Sequence, residues 1–113
     1  MEERVQLSIL LDIYGELLTE KQKDIMDLYY NDDLSLGEIC EFTNTSRQAV
    51  HDIIKRCHKL LLQYEAKLGF MKHKSEMNEL KLSLLKLIDL LNISDSNDLR
   101  ILQKLKEYIS ENI

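Results

Sequence analysis

An all-α fold is the expectation from three features of this 113-residue chain. There is no proline and there are only three glycines, so little interrupts a helix. Leu, Ile, Lys and Glu dominate, and the apolar residues recur every three or four positions, the helical period. Two boxes of the form Ser/Thr-x-x-Glu/Gln, Thr19 to Gln22 and Ser35 to Glu38, mark helix starts. The architecture that follows is a helix-turn-helix bundle over residues 1–70 and a C-terminal helical hairpin over residues 71–113, an extension open to dimerisation. A hydrophobic content of 44% is enough for a core in a chain of this length.

Residues 4–18 read as a first helix, with Val5, Ile9, Tyr14, Leu17 and Leu18 among its apolar positions. The box at Thr19 opens a second, whose inner face is Ile25, Met26, Leu28 and Tyr29 and whose end is Asn31-Asp32-Asp33. The two neighbouring aspartates read as a solvated turn, since a cation needs further oxygen ligands. Ser35 starts a third, short helix that turns Leu36, Ile39 and Cys40 inward. Asn44 then supplies the left-handed residue of a sharp turn. Ser46 caps a fourth helix, with Val50, Ile53, Cys57, Leu60, Tyr64 and Leu68 facing the core, and Gly69 ends it.

Met71-Lys72-His73-Lys74 reads as a basic hinge, and Ser75 as the cap of a new helix. In that helix Met77, Leu80, Leu84, Leu87 and Leu91 form a heptad seam, which Leu82, Leu85 and Ile88 widen. Residues 92–97 make a turn into a last helix carrying Leu99, Leu102, Leu105 and Ile109. The seam can be covered by this last helix or by a second copy of the chain.

The two helices around Asn44 have the spacing of a helix-turn-helix, which lays its second helix in the DNA major groove. The outward face of that helix offers Arg47 and Gln48 at its start for base edges, followed by His51 and Asp52, with Lys55, Arg56 and Lys59 placed for phosphates. Asp52 has a second reading, as the ion-pair partner of Arg56 one turn later. A histidine protonates near pH 6.5, so His51 would add charge to this face in mild acid. The same pattern also suits a short helix pair in a bundle that touches no nucleic acid, and both readings stay open.

Net charge sharpens the choice without making it. The chain carries a formal charge of -5, which opposes whole-molecule attraction to DNA or RNA. The basic residues nevertheless concentrate on the fourth helix, whereas Glu38 and Glu41 lie on the helix expected to cross the phosphates. Contact with DNA would then be weak or need a dimer.

Other classes are disfavoured. The N-terminus has no basic lead before an apolar run, and the longest apolar stretches are broken by Lys86 and Asp89, so a cytoplasmic protein without a membrane span is expected. Cys40 and Cys57 fall on core positions, which speaks against a disulfide or a metal pair. Asn44-Thr45-Ser46 and Asn92-Ile93-Ser94 match the glycosylation pattern, without consequence in the cytoplasm. His51, His58 and His73 have no nucleophile or paired carboxylate at useful spacing and there is no phosphate-cradling glycine loop, so no catalytic residue, metal or cofactor is expected.

Leu17-Leu18-Thr19-Glu20-Lys21-Gln22 through Leu28-Tyr29-Tyr30, Asp32-Asp33-Leu34-Ser35-Leu36-Gly37-Glu38-Ile39, and Ser46-Arg47-Gln48-Ala49-Val50-His51-Asp52 with Ile54-Lys55-Arg56 closely resemble the YlxM family of small bacterial proteins. The resemblance covers residues 4–70, and residues 71–113 match it poorly. The same region is similar to region four of bacterial sigma factors, which grips the promoter's upstream element. These resemblances imply a DNA-binding regulatory protein with Arg47, Gln48, His51 and Asp52 in the groove. They also imply a link to the signal recognition particle pathway. The alternative is an adaptor that binds no DNA and contacts protein or RNA components of that targeting machinery.

Overall fold

A computed structural model describes residues 2–113. Among the described residues there are α-helices and no strands: α1 Glu3–Tyr14, α2 Glu20–Tyr30, α3 Leu36–Thr43, α4 Arg47–Leu68, α5 Phe70–Asp89 and α6 Ser96–Asn112. The all-α expectation is met. The chain divides into two compact units, one ending at Met71 and one beginning at Lys72. None of the helices is long and apolar enough to cross a membrane.

Both capping boxes form. Thr19 Oγ1 accepts from the amide of Gln22 at 3.2 Å while the Thr19 amide donates to Gln22 Oε1 at 3.0 Å. Ser35 and Glu38 repeat the exchange at 3.1 and 3.0 Å. Each box satisfies helix-end donors that would otherwise lack partners. The bond from the Ser35 amide also holds the Glu38 carboxyl below the usual carboxylate range.

The first helix differs from expectation. α1 ends at Tyr14, and Gly15–Leu17 tighten into a 3-10 turn. Gly15 is a poor helix former, and Leu18 must become extended to deliver the chain to the Thr19 cap. The buried face of α1 is Leu7, Leu10, Leu11 and Tyr14, while Val5 and Leu17 are exposed.

Two apolar clusters build the first unit. One joins Leu7, Leu10, Leu11 and Tyr14 to Leu18, Met26, Cys57 and Leu61; the other joins Ile25, Ile39 and Val50. Ile53 and Ile54 of α4 pack against both clusters and make them continuous. Fully burying each such aliphatic side chain contributes about 1.5–3 kcal/mol. Cys57 is buried, which pushes its thiol pKa up, whereas Cys40 is half-buried beside the second cluster. Leu68, expected inside, is exposed: it lies one turn beyond Tyr64, the last α4 residue packed against the core.

Two polar nodes fasten the helices. Arg4 donates to the carbonyl of Tyr29 and, at 2.8 Å, to Asp33 Oδ1. Its guanidinium also lies 4.8 and 5.4 Å from the ring centres of Tyr29 and Tyr30, within reach of a cation–π interaction. Asp33, with a left-handed φ of 57°, is therefore a tied residue and not simply a solvated one. In the second node the Tyr14 hydroxyl donates to Glu65 Oε1 at 2.7 Å and accepts from the amide of Phe70 at 3.1 Å. The same Glu65 oxygen accepts from the amide of Met71 at 2.9 Å.

This second node corrects the expected hinge. Tyr14 and Glu65 take up the first free amides of α5, so the helix begins at Phe70, directly after Gly69 at φ 66°. Lys72, His73, Lys74 and Ser75 are ordinary helical positions, and the only break is the glycine.

In the second unit α5 and α6 are tied by an ion pair between Lys106 and Asp89 at 3.0 Å, and Lys81 Nζ donates to the Ser110 carbonyl at 3.3 Å. Asp95 caps α6 by accepting from the amide of Asp98. Ile88 and Ile109 are buried, but Leu80, Leu87 and Leu91 of the expected seam are exposed. A single facing helix cannot cover an apolar surface widened on both flanks.

Burial, together with the bond to Glu65, raises the Tyr14 pKa above its ordinary value of 10.0. A group whose pKa is higher in the folded chain contributes fully below the unfolded value and loses that contribution as pH rises past it. Tyr14→Phe should cost about 1.5–3 kcal/mol at neutral pH, the worth of a hydrogen bond to a charged group. It should also flatten the loss of stability above pH 10, both read from urea unfolding followed by circular dichroism across pH.

Candidate nucleic-acid interface

The turn between α3 and α4 is built from short polar side chains. Asn44 adopts φ 51° and ψ 46°, and its amide and that of Thr45 both donate to the Cys40 carbonyl, the latter at 3.2 Å. Thr43 Oγ1 donates back to the Ile39 carbonyl at 2.6 Å and Thr45 Oγ1 to the Thr43 carbonyl at 3.1 Å, so the carbonyls of Ile39, Cys40 and Thr43 all have partners at this end of α3. Ser46 Oγ accepts from the amide of Ala49 at 3.2 Å and starts α4. Hence Asn, and no glycine, makes this corner.

α4 then presents two opposite faces. Val50, Cys57 and Leu61 are buried, while Arg47, Gln48, His51, Asp52, Lys55, Arg56 and Lys59 are all exposed. The seven expected site residues share one side of the helix, as its 100° step per residue requires. They line two successive depressions. The first, about 510 Å³, is formed by Leu36, Arg47, Gln48 and His51. The second, about 460 Å³, is formed by Asp52, Lys55, Arg56, Lys59, Leu60 and Gln63.

The charges on this face are arranged differently from the sequence reading in one respect. Asp52 makes no ion pair with Arg56. Its Oδ1 accepts instead from Gln48 Nε2 at 3.0 Å and lies 3.7 Å from His51 Nδ1. The shorter amide reaches the carboxylate one turn away, which leaves the Arg56 guanidinium unpaired. Among the described residues none of Arg47, Lys55, Arg56 and Lys59 forms an ion pair. His58 is turned elsewhere, with Nε2 at 3.4 Å from Glu3 Oε1 on α1.

Glu38 and Glu41, expected to oppose a polyanion at this surface, line neither depression. They border a separate hollow with Leu34 and Phe42. No group of three or more side chains placed to hold a metal ion occurs among the described residues. Sequence reading missed Leu36, which lines the first depression, Leu60 and Gln63, which line the second, and the bond from Gln48 to Asp52. The i,i+4 spacing was the available signal for that bond.

A capped short helix, a left-handed corner and a capped second helix make the helix-turn-helix explicit, and comparison with known proteins agrees. The profile of UPF0122, described as "Putative helix-turn-helix protein, YlxM / p13 like", matches residues 1–107. The chain belongs to the UPF0122 family. It is 61% identical over 113 residues to a UPF0122 protein of Clostridium kluyveri, with 100% of each chain covered. A UPF0122 protein of Clostridium acetobutylicum is 46% identical over 112 residues, covering 97% of each chain. One from Clostridium perfringens is 44% identical over 113 residues, covering 100% of this chain and 95% of the relative. The similarity therefore runs through most of α6, and the expectation that residues 71–113 stand apart from the family is overturned. Leucine-rich heptads are so common in unrelated helices that this region offered no distinctive string to recognise.

Asn44→Ala should lower stability by about 1–2 kcal/mol, the cost of placing a Cβ-bearing residue without a local hydrogen-bonding side chain in the left-handed region. Asn44→Gly should be close to neutral in the same urea titration.

Proposed function

We propose that this UPF0122 protein is a DNA-binding regulator in which α4 enters the major groove. The observation that carries this reading is the row of four unpaired cations on the outward side of α4, beginning at its first residue. Arg47 and Gln48 are at the N-terminal end that meets base edges, where Arg suits the paired acceptors of guanine and Gln suits adenine. To read a base, Gln48 exchanges its bond with Asp52 for one to the DNA. Lys55, Arg56 and Lys59 lie about two to three turns further along and meet phosphates. The separation of Glu38 and Glu41 from these depressions lowers the repulsion that their place on α3 would bring.

A single unit with so few cations binds weakly, and two copies would bind far more tightly. The exposed Leu82 and Leu87 of α5, Leu90 and Leu91 just past its end, and Ile101 and Tyr108 of α6 support a dimer formed through the second unit. The proposed function extends to a regulatory role like that of sigma region four and to a part in the signal recognition particle pathway. A second reading, favoured by the acidic exposed residues Glu38 and Glu41, is an adaptor that contacts protein or RNA components of the targeting machinery without touching DNA.

Fluorescence polarisation with duplex DNA at low salt tests the first reading. Arg47→Ala with Gln48→Ala should lose about 1–3 kcal/mol for each base contact removed. Lys55→Ala with Lys59→Ala should weaken all sequences alike and reduce the salt dependence by about one per phosphate contact. Equal binding by wild type and both variants rejects it, and recovery of targeting components from a pull-down without DNA binding favours the adaptor. Light scattering on the gel-filtered protein at micromolar concentration should give twice the mass of one chain; a single-chain mass excludes the dimer.

A further inference from the structure

A wide concavity of the first unit lies away from the α4 face. It is an open groove of about 910 Å³ between α2 and α3, and it shares no lining residue with the two depressions on α4. The half-buried Leu28 of α2 supplies apolar surface over the buried Ile25, and Phe42 of α3 stands at its side with 76% of its surface exposed. A lone exposed aromatic is ordinary on a protein surface. Phe42 is different in that it also borders the neighbouring hollow of about 360 Å³ with Leu34, so it forms a ridge flanked by two concavities.

The rim of this apolar surface has one sign of charge. Glu20, Asp24, Asp27 and Asp32 border the groove, and Glu38 and Glu41 border the hollow beyond Phe42. Lys21 is the one cation among the lining residues of either concavity. Two of these carboxylates have internal work: Asp27 accepts from Asn31 Nδ2 at 2.8 Å, and Glu38 belongs to the Ser35 capping box. None of the six takes part in an ion pair among the described residues. A surface of this kind repels nucleic acid and attracts a cationic polypeptide.

We propose that the α2–α3 groove docks a basic amphipathic helix of a partner protein. The partner's apolar residues pack along Phe42 and Leu28, in the manner of a helix lying in a groove. Its Lys and Arg residues meet Asp24, Asp32, Glu20 and Glu41 along the rim. Aromatic side chains are the residue type most enriched in such contacts, and they need an apolar counterpart shielded from water. The inference does not depend on what α4 binds. A protein with a cationic face on α4 and an anionic apolar face on α2 and α3 can hold a nucleic acid and a basic protein at once.

The test uses the full chain and a fluorescein-labelled synthetic peptide of leucine and lysine patterned as an amphipathic helix. A second peptide of the same pattern has glutamate in place of lysine. Anisotropy at low salt should show binding of the lysine peptide and none of the glutamate peptide. Phe42→Ala, and separately Asp24→Asn with Asp32→Asn, should each weaken the lysine peptide about tenfold or more, the effect of losing a central contact. These side chains are exposed and outside the core, so each variant should keep the helical circular dichroism of the wild type. Arg47→Ala with Gln48→Ala should leave peptide binding unchanged, which separates this site from the α4 reading. Amide shift changes in a titration of the labelled protein should fall on α2 and α3. Equal binding by wild type and the α2–α3 variants, or shift changes confined to other helices, overturns the proposal.

Discussion

Packing against α4 is the constraint on which the first unit depends. α1, α2 and α3 each contact this helix, and both apolar clusters include its side chains. Val50 serves one cluster, Cys57 and Leu61 the other, and Ile53 and Ile54 bridge them. Because these residues consume one side of α4, the opposite side is exposed, with Leu36 of α3 beside its first turns. The cations there are held on a helix whose orientation is set by the core and not by their own interactions. A surface can therefore carry unpaired like charges at little cost in stability, since solvent screens them while burial on the far side provides the driving force.

The polar nodes refine what burial begins. Arg4 ties the start of α1 to the end of α2 and to the corner at Asp33, while Tyr14 and Glu65 bind α1 and α4 to the first amides of α5. Each node satisfies backbone groups at a helix end, where unpaired donors and acceptors are most numerous. The corner at Asn44 works the same way with local side chains. Helix ends in this unit are thus defined by specific partners, and the geometry of the α3–α4 pair follows from them.

Charge is divided between surfaces to a degree that net composition conceals. An overall charge of -5 discourages a nucleic-acid reading, yet Arg47, Lys55, Arg56 and Lys59 occupy one side of α4, and the carboxylates of α2 and α3 collect around Phe42. Coulomb interactions across solvent fade over about 10 Å at ordinary salt. Two faces of opposite sign can then act on different partners, and the average over the molecule predicts neither.

Local rules were legible in the sequence because they depend on neighbours a few residues apart. The capping boxes at Thr19 and Ser35, the caps at Ser46 and Gly69, the left-handed Asn44 and the exposure of the seven α4 residues all follow from short-range spacing. Tertiary partners decided the rest. α5 begins at Phe70 because Tyr14, 56 residues earlier, reaches its amide; Asp33 is bound because Arg4 arrives from α1; Asp52 takes Gln48 in preference to Arg56. The apolar residues of α5 and α6 announced helices, but periodicity counts hydrophobic positions without saying how many neighbours exist to cover them. The α2–α3 groove was invisible for the same reason. Its apolar wall and acidic rim come from helices that share no motif, and only folding sets them side by side.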